Sequence, residues 1–88
     1  MYQLKLFIAG LTPKSKIALA NLQVFCEAHL KDRYELEIID LSVNPALAEA
    51  HGILAVPTLI KTDPEPLKKL IGDLRDQTRL LVALNIAA

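Results

Sequence analysis

A single cysteine, Cys26, is the whole thiol complement of this chain. One thiol cannot close an internal disulfide, which suits a reducing compartment and excludes a disulfide-stapled secreted scaffold. Charge of one sign is missing as well. Ten basic and ten acidic side chains cancel, so the electrostatic footprint of a nucleic-acid binder is absent. Long apolar runs are also missing. The terminal uncharged stretch from Leu80 to Ala88 falls far short of the roughly 20 residues a membrane helix needs. Met1 to Lys5 shows no basic leader followed by an apolar segment. No glycine-rich phosphate loop, no Ser/His/Asp arrangement and no carboxylate pair set for catalysis is present. These gaps point to a soluble, cytoplasmic protein that is not an enzyme, with no cofactor, no metal, no nucleic-acid partner and no membrane.

What is there is apolar and periodic. Eighty-eight residues, 52% of them hydrophobic, allow one domain over residues 1–88. A domain this small buries a modest fraction of its surface, so self-association as a dimer or tetramer would cover area the monomer leaves exposed. Tyr2 to Ala9 reads as a buried strand. Gly10 to Pro13 turns the chain, with Thr12 or Ser15 as cap. From Lys16 to Lys31, Ala18, Leu22, Phe25, Cys26 and His29 recur at three- and four-residue spacing, an amphipathic helix. Tyr34 to Leu41 is a second strand, parallel to the first because a helix joins them. Asn44-Pro45 opens a short helix, Ala46 to His51, which Gly52 stops. Val56 to Thr62 and Leu67 to Ile71 form an antiparallel hairpin about the turn Asp63-Pro64-Glu65-Pro66. Gly72-Asp73 caps a last helix, Leu74 to about Asn85, with Leu74, Leu81 and Leu84 inward. Arg79 to Ile86 is ambiguous, because an apolar run of that length also suits a strand.

The segment Ile53-Leu54-Ala55-Val56-Pro57-Thr58-Leu59, an apolar run broken by Val-Pro-Thr at a strand entrance, resembles the cis-proline corner of thioredoxin-like domains. There the proline faces a Cys-x-x-Cys pair at the start of the first helix. Here that place is Ala9 to Ser15, which holds no cysteine. The fold class expected is α/β: a thioredoxin-like βαβαββα order with a mixed four-stranded sheet.

The resemblance extends further. Leu4 to Gly10, Thr12 to Ser15, Ile39-Asp40-Leu41 followed by Asn44-Pro45, Ile53 to Leu59, and Leu70 to Leu74 occur in order and resemble the circadian-clock family KaiB. Together they cover nearly the whole chain. The resemblance implies a non-enzymatic adaptor that docks on the ring-shaped ATPase KaiC. It also implies fold switching between a thioredoxin-like binding state and a ground state, often tetrameric, whose C-terminal half is rearranged. That ground state is the alternative fold. Pro57, Gly72, Asp73, Ala83 and Asn85 are the fold-switch and structural candidates.

Two departures from the cyanobacterial pattern stand out. Those members tend to carry glycine where Ala83 stands and aspartate where Asn85 stands. Alanine favours helix over glycine by roughly 1 kcal/mol, and losing an acid at a helix C-terminus removes an unfavourable dipole contact. Both push toward the thioredoxin-like form, across a gap of only a few kcal/mol between two packings. Glu35 and Glu37 make a second strand edge acidic where clock members are apolar and basic, which speaks against KaiA as a partner. Glu35, Glu37, Lys68 and Lys69 are the partner-binding candidates, the lysines forming a basic patch with Arg75 and Arg79. Cys26 is expected to be inert packing, and Cys26 with His29 supplies too few ligands for a metal. Two rival functions remain: a stand-alone interaction module for another ATPase or a histidine kinase, and, least supported, a thiol reductase.

Overall fold

The computed structural model describes residues 1–86. The elements run β1 (Tyr2–Ile8), α1 (Pro13–His29), β2 (Tyr34–Asp40), α2 (Ala46–Ala50), β3 (Thr58–Asp63), β4 (Lys68–Ile71) and α3 (Gln77–Ala83). This is the expected βαβαββα order. The sheet order is β2-β1-β3-β4. β1 and β2 are parallel, Tyr2 opposite Tyr34 through Ile8 opposite Asp40; β3 runs antiparallel to both β1 and β4. The mixed four-stranded sheet is therefore present.

Strand alternation sends successive side chains to opposite faces, and each face has its own core. Leu4, Leu6, Ile8, Leu59 and Leu70 meet Ala18, Leu22, Phe25 and Cys26 of α1, with Leu80 of α3 and Leu84 just beyond it, in the larger cluster. Phe7, Ile39, Leu41 and Ile60 form the smaller one beneath α2. Helix α1 starts at its expected cap: the Thr12 hydroxyl oxygen accepts from the Ser15 N–H at 3.2 Å, and Pro13 occupies the first turn, where its missing N–H costs least. Its buried face carries Ser15, Ala18, Leu22, Phe25 and Cys26. Gly52, at φ +66, ends the short helix region as expected.

The last helix differs from the sequence reading. It begins at Gln77, not Leu74, because Leu74 adopts φ 63, a left-handed backbone that no helix contains and that costs a branched side chain about 1–2 kcal/mol. Burying that side chain in the main cluster at 5% exposure offsets the cost. The cap is Asp76, whose carboxylate accepts from the Arg79 N–H at 3.0 Å, and not Gly72-Asp73. Leu80 and Leu84, four residues apart on one helical face, are fully buried, whereas Leu81, the residue expected inward, is half-buried. The ambiguous run takes the helical reading as far as Ala83. Ala87 and Ala88, the end of the uncharged tail, lie outside the described residues.

Candidate functional site

The place where a thioredoxin-like domain keeps its thiols is filled by backbone-holding groups. Asp40, at the end of β2, accepts through Oδ1 from the Gly10 N–H at 2.9 Å, the Ser42 N–H at 2.9 Å and the Ser42 hydroxyl at 2.6 Å. These hydrogen bonds, the Ser42 hydroxyl first, hold its carboxyl below the usual range. Ser15, near the position of a resolving thiol, is buried and takes a hydrogen bond from the Thr12 hydroxyl at 3.1 Å. Ahead of β3 the Val56–Pro57 peptide is cis, as the resemblance implied, and the Thr58 hydroxyl donates to the Ala55 carbonyl at 2.6 Å. The Asp63–Pro64 and Glu65–Pro66 peptides are cis too.

The lone thiol is elsewhere. Cys26 stands thirteen residues beyond the start of α1, about 20 Å along the helix at 1.5 Å per residue. It is fully buried. Burial, and then the neighbouring Glu27 carboxylate, push its pKa up to about 12. A thiol so shifted supplies no thiolate at neutral pH. His29 lies one turn on, its ring tilted by 43° against Phe25 with centroids 4.9 Å apart. Among the described residues no group of three or more His, Cys, Asp or Glu stands close enough to hold a metal.

The partner-binding candidates divide. Glu35 and Glu37 project from the same side of edge strand β2, the side away from α1, and both are exposed. Glu37 pairs with Lys5 at 3.4 Å, a contact that in this exposed setting contributes little. Lys68 and Lys69 do not form one patch. Being adjacent on β4, opposite Lys61 and Ile60, they leave opposite faces of the sheet. The Lys69 ammonium donates to the carbonyls of His51 and Gly52 at 3.3 and 3.5 Å, tying β4 to the end of α2. Arg75 is engaged by Asp73, Nη2 to Oδ2 at 2.7 Å.

Gly72 and Asp73 act as a joint between β4 and α1. The Gly72 N–H reaches the Pro57 carbonyl at 3.0 Å, and the Asp73 carbonyl accepts from the Asn21 amide at 2.9 Å. Ala83 and Asn85 belong to a helix stop. Asn85 takes φ 54, its N–H bonds the Val82 carbonyl at 3.1 Å, and the Ile86 N–H bonds the Leu81 carbonyl at 3.0 Å. This is a Schellman motif, and Ile86 inserts into the main cluster. Asparagine is the commonest substitute for glycine at such a position.

One surface was not anticipated. Leu11, Val43, Leu54 and Ile71 are 63%, 80%, 97% and 55% exposed. They follow the ends of β1 and β2, precede β3 and close β4, so the strand directions bring them all to one end of the sheet. For Leu11, Val43 and Leu54 the signal in the sequence was an apolar side chain outside the strands, where periodicity assigns no core role; Ile71 ends β4.

The fold is that of a thioredoxin-like domain without its nucleophile. Solved structures with this plan include mitochondrial thioredoxin 3 of Saccharomyces cerevisiae (TM-score 0.74, 20% identity, 96% of this chain and 76% of that one). They also include the N-terminal domain of Synechococcus elongatus SasA (TM-score 0.76, 25% identity, 92% and 78%). The family model for the KaiB domain matches residues 5–86, and the chain belongs to the KaiB family. It is 47% identical over 85 residues to the circadian clock oscillator protein KaiB of Prochlorococcus marinus strain MIT 9313, covering 97% of this chain and 71% of that protein. The identity is the same for the Acaryochloris marina protein, of which it spans 82%. No helix among the described residues is long and apolar enough to cross a membrane.

Proposed function

We propose that this protein is a non-catalytic adaptor that binds a KaiC-like ATPase ring within a clock or stress-timing system in the cytoplasm, using the thioredoxin-like form described above. The observation that carries the reading is the KaiB-family match over residues 5–86 on a scaffold whose catalytic turn holds no thiol and whose one cysteine is buried. A domain stripped of its nucleophile but retaining its fold works through surfaces. The apolar cluster at the strand ends supplies one, since exposed apolar patches on small domains mark interaction sites. The acidic β2 edge supplies electrostatic selection, favouring partners with basic groups there and disfavouring KaiA. Ala83 in α3 and the Asn85 helix stop favour the helical form of the C-terminal half over a rearranged ground state.

Size-exclusion chromatography with the host's own KaiC-like protein, with and without ATP, tests the reading. Co-elution in at least one nucleotide condition is expected. Its absence under every condition sinks the proposal and leaves the rival partner classes, another ATPase or a histidine kinase.

A further inference from the structure

Lys61 is the one side chain of the described residues whose environment contradicts its chemistry. It lies on β3 two residues from Leu59, so strand alternation sends both to the face covered by α1 and α3. Leu59 belongs to the main cluster there. Lys61 is 0% exposed, among the largest fully buried side chains of the protein. Its Nζ has no hydrogen-bond partner among the described residues; its nearest compensation is the Tyr2 ring, whose centroid lies 5.9 Å away. That distance sits at the outer limit of a useful cation–π contact. Lysines are almost never fully buried without a partner, and an ammonium removed from water without one shifts toward its neutral form.

The charged surroundings do not rescue the cation. Lys68 is its register partner on β4, and Asp63, further along β3, is exposed. Tyr2 faces it from β1. The last turns of α1 carry Cys26, Glu27 and His29, while the one charged residue of α3, Arg79, lies beside Leu70 to Asp76 toward the other end of β4. None of these bonds Nζ. Burial first, and Lys68 second, depress the amine below its ordinary value of 10.5, with Asp63 opposing them.

We infer that Lys61 is a proton-linked latch: the closed core over this end of β3 accepts the neutral amine, and protonation favours a state in which that face is open to water. The coupling has a fixed sign. The unfolded or opened chain binds the proton more readily than the closed one, so stability of the closed form rises with pH between the depressed value and 10.5; it is lost as pH falls through that window and changes no further below it.

The test compares the wild type with Lys61→Met, which keeps the length of the side chain and removes the charge. Urea denaturation of both, from neutral to alkaline pH, yields the difference in stability. The inference expects Lys61→Met to be the more stable protein at neutral pH, its advantage shrinking as pH rises. Cys26 titrates equally in both proteins and cancels. A difference that is flat with pH overturns the inference. Should Lys61→Met fail to fold, side-chain NMR of isotope-labelled lysine in the wild type decides. One amine titrating below the others, and reverting to their range on unfolding, supports the latch; all lysines titrating together overturns it. Lys68→Met serves as control, because it relieves a repulsion without removing the buried amine and retains the pH dependence.

Discussion

Cys26 illustrates how burial silences a thiol. Its thiol ionises in the unfolded chain near 9.0 and in the folded one at about 12. The folded state therefore holds its proton after the unfolded state has released it. The stability this contributes is complete below the lower value and declines as pH climbs through the interval. Cys26→Ala should flatten that alkaline decline in urea-denaturation curves, and an unchanged decline would assign it to other groups. In the native protein an aromatic disulfide reagent should find the thiol silent at neutral pH until denaturant is added. Asp40 works in the opposite direction. Its carboxylate, held low by Ser42 and Gly10, contributes stability that is present above its ordinary value of 3.8 and fades as pH drops through the lowered one. Asp40→Ala should lose that acid-side component and loosen the Gly10 turn, measurable as faster amide exchange at Gly10.

Helix α3 shows what decides an element when periodicity is silent. The run from Arg79 to Ile86 suited strand or helix; three local devices settle it. Asp76 caps the start, Leu80 and Leu84 align on one face, and Asn85 stops the end in a left-handed conformation. The cap and the stop have magnitudes, as does the helix-favouring Ala83. Asp76→Ala should cost about 1 kcal/mol through the lost cap, and Ala83→Gly about 1 kcal/mol through backbone freedom. Asn85→Ala should cost roughly 1 kcal/mol, because alanine resists φ near 54 more than asparagine does. Asn85→Gly should be neutral or stabilising by a few tenths of a kcal/mol. Urea denaturation checks the set, and a stabilising Asn85→Ala would contradict the helix stop. The sequence reading weighed Ala83 and Asn85 by helix propensity and dipole; the left-handed backbone at Asn85 has no signal in either. It misplaced the start of α3 because the left-handed turn at Leu74 is set by burial against α1, a tertiary effect with no local signature.

At the scale of the molecule, the plan of four strands and three helices among the described residues was legible because each strand and α1 carries strong periodicity, and because the Val-Pro-Thr corner is a specific local pattern. The binding surfaces were less so. Lys68 and Lys69 looked like a patch along the chain and are separated by the pleat. Leu11, Val43 and Leu54, exposed apolar residues outside the strands, carried no periodic signal and come to one end of the sheet only through the strand directions. Lys61, two residues from Leu59, passed unremarked in the sequence, because a lysine in a strand is ordinarily taken to face water although alternation places this one inward. Two outcomes are expected at this scale. Insulin reduction should stay at background; activity above background that is lost in Cys26→Ala, the only thiol of the chain, would reopen the reductase reading. Leu54→Glu, at a site 97% exposed, should leave the denaturation midpoint unchanged while weakening ATPase binding about tenfold, the scale of a hot-spot loss. Unchanged affinity would move the contact elsewhere on the surface.

The central strand has a further consequence. β1 holds β2 along seven residue pairs and β3 along five, the latter interrupted by an irregularity between Gln3 and Leu4. Everything after α2 in the sheet is fastened to the front of the protein by that shorter zipper. Undoing it would release the hairpin and its trailing helix as one piece, with the strand–helix–strand front left standing. Amides of β3 and β4 should then exchange with solvent through a cheaper opening than those joining β1 to β2, so that the domain comes apart at a hem rather than throughout.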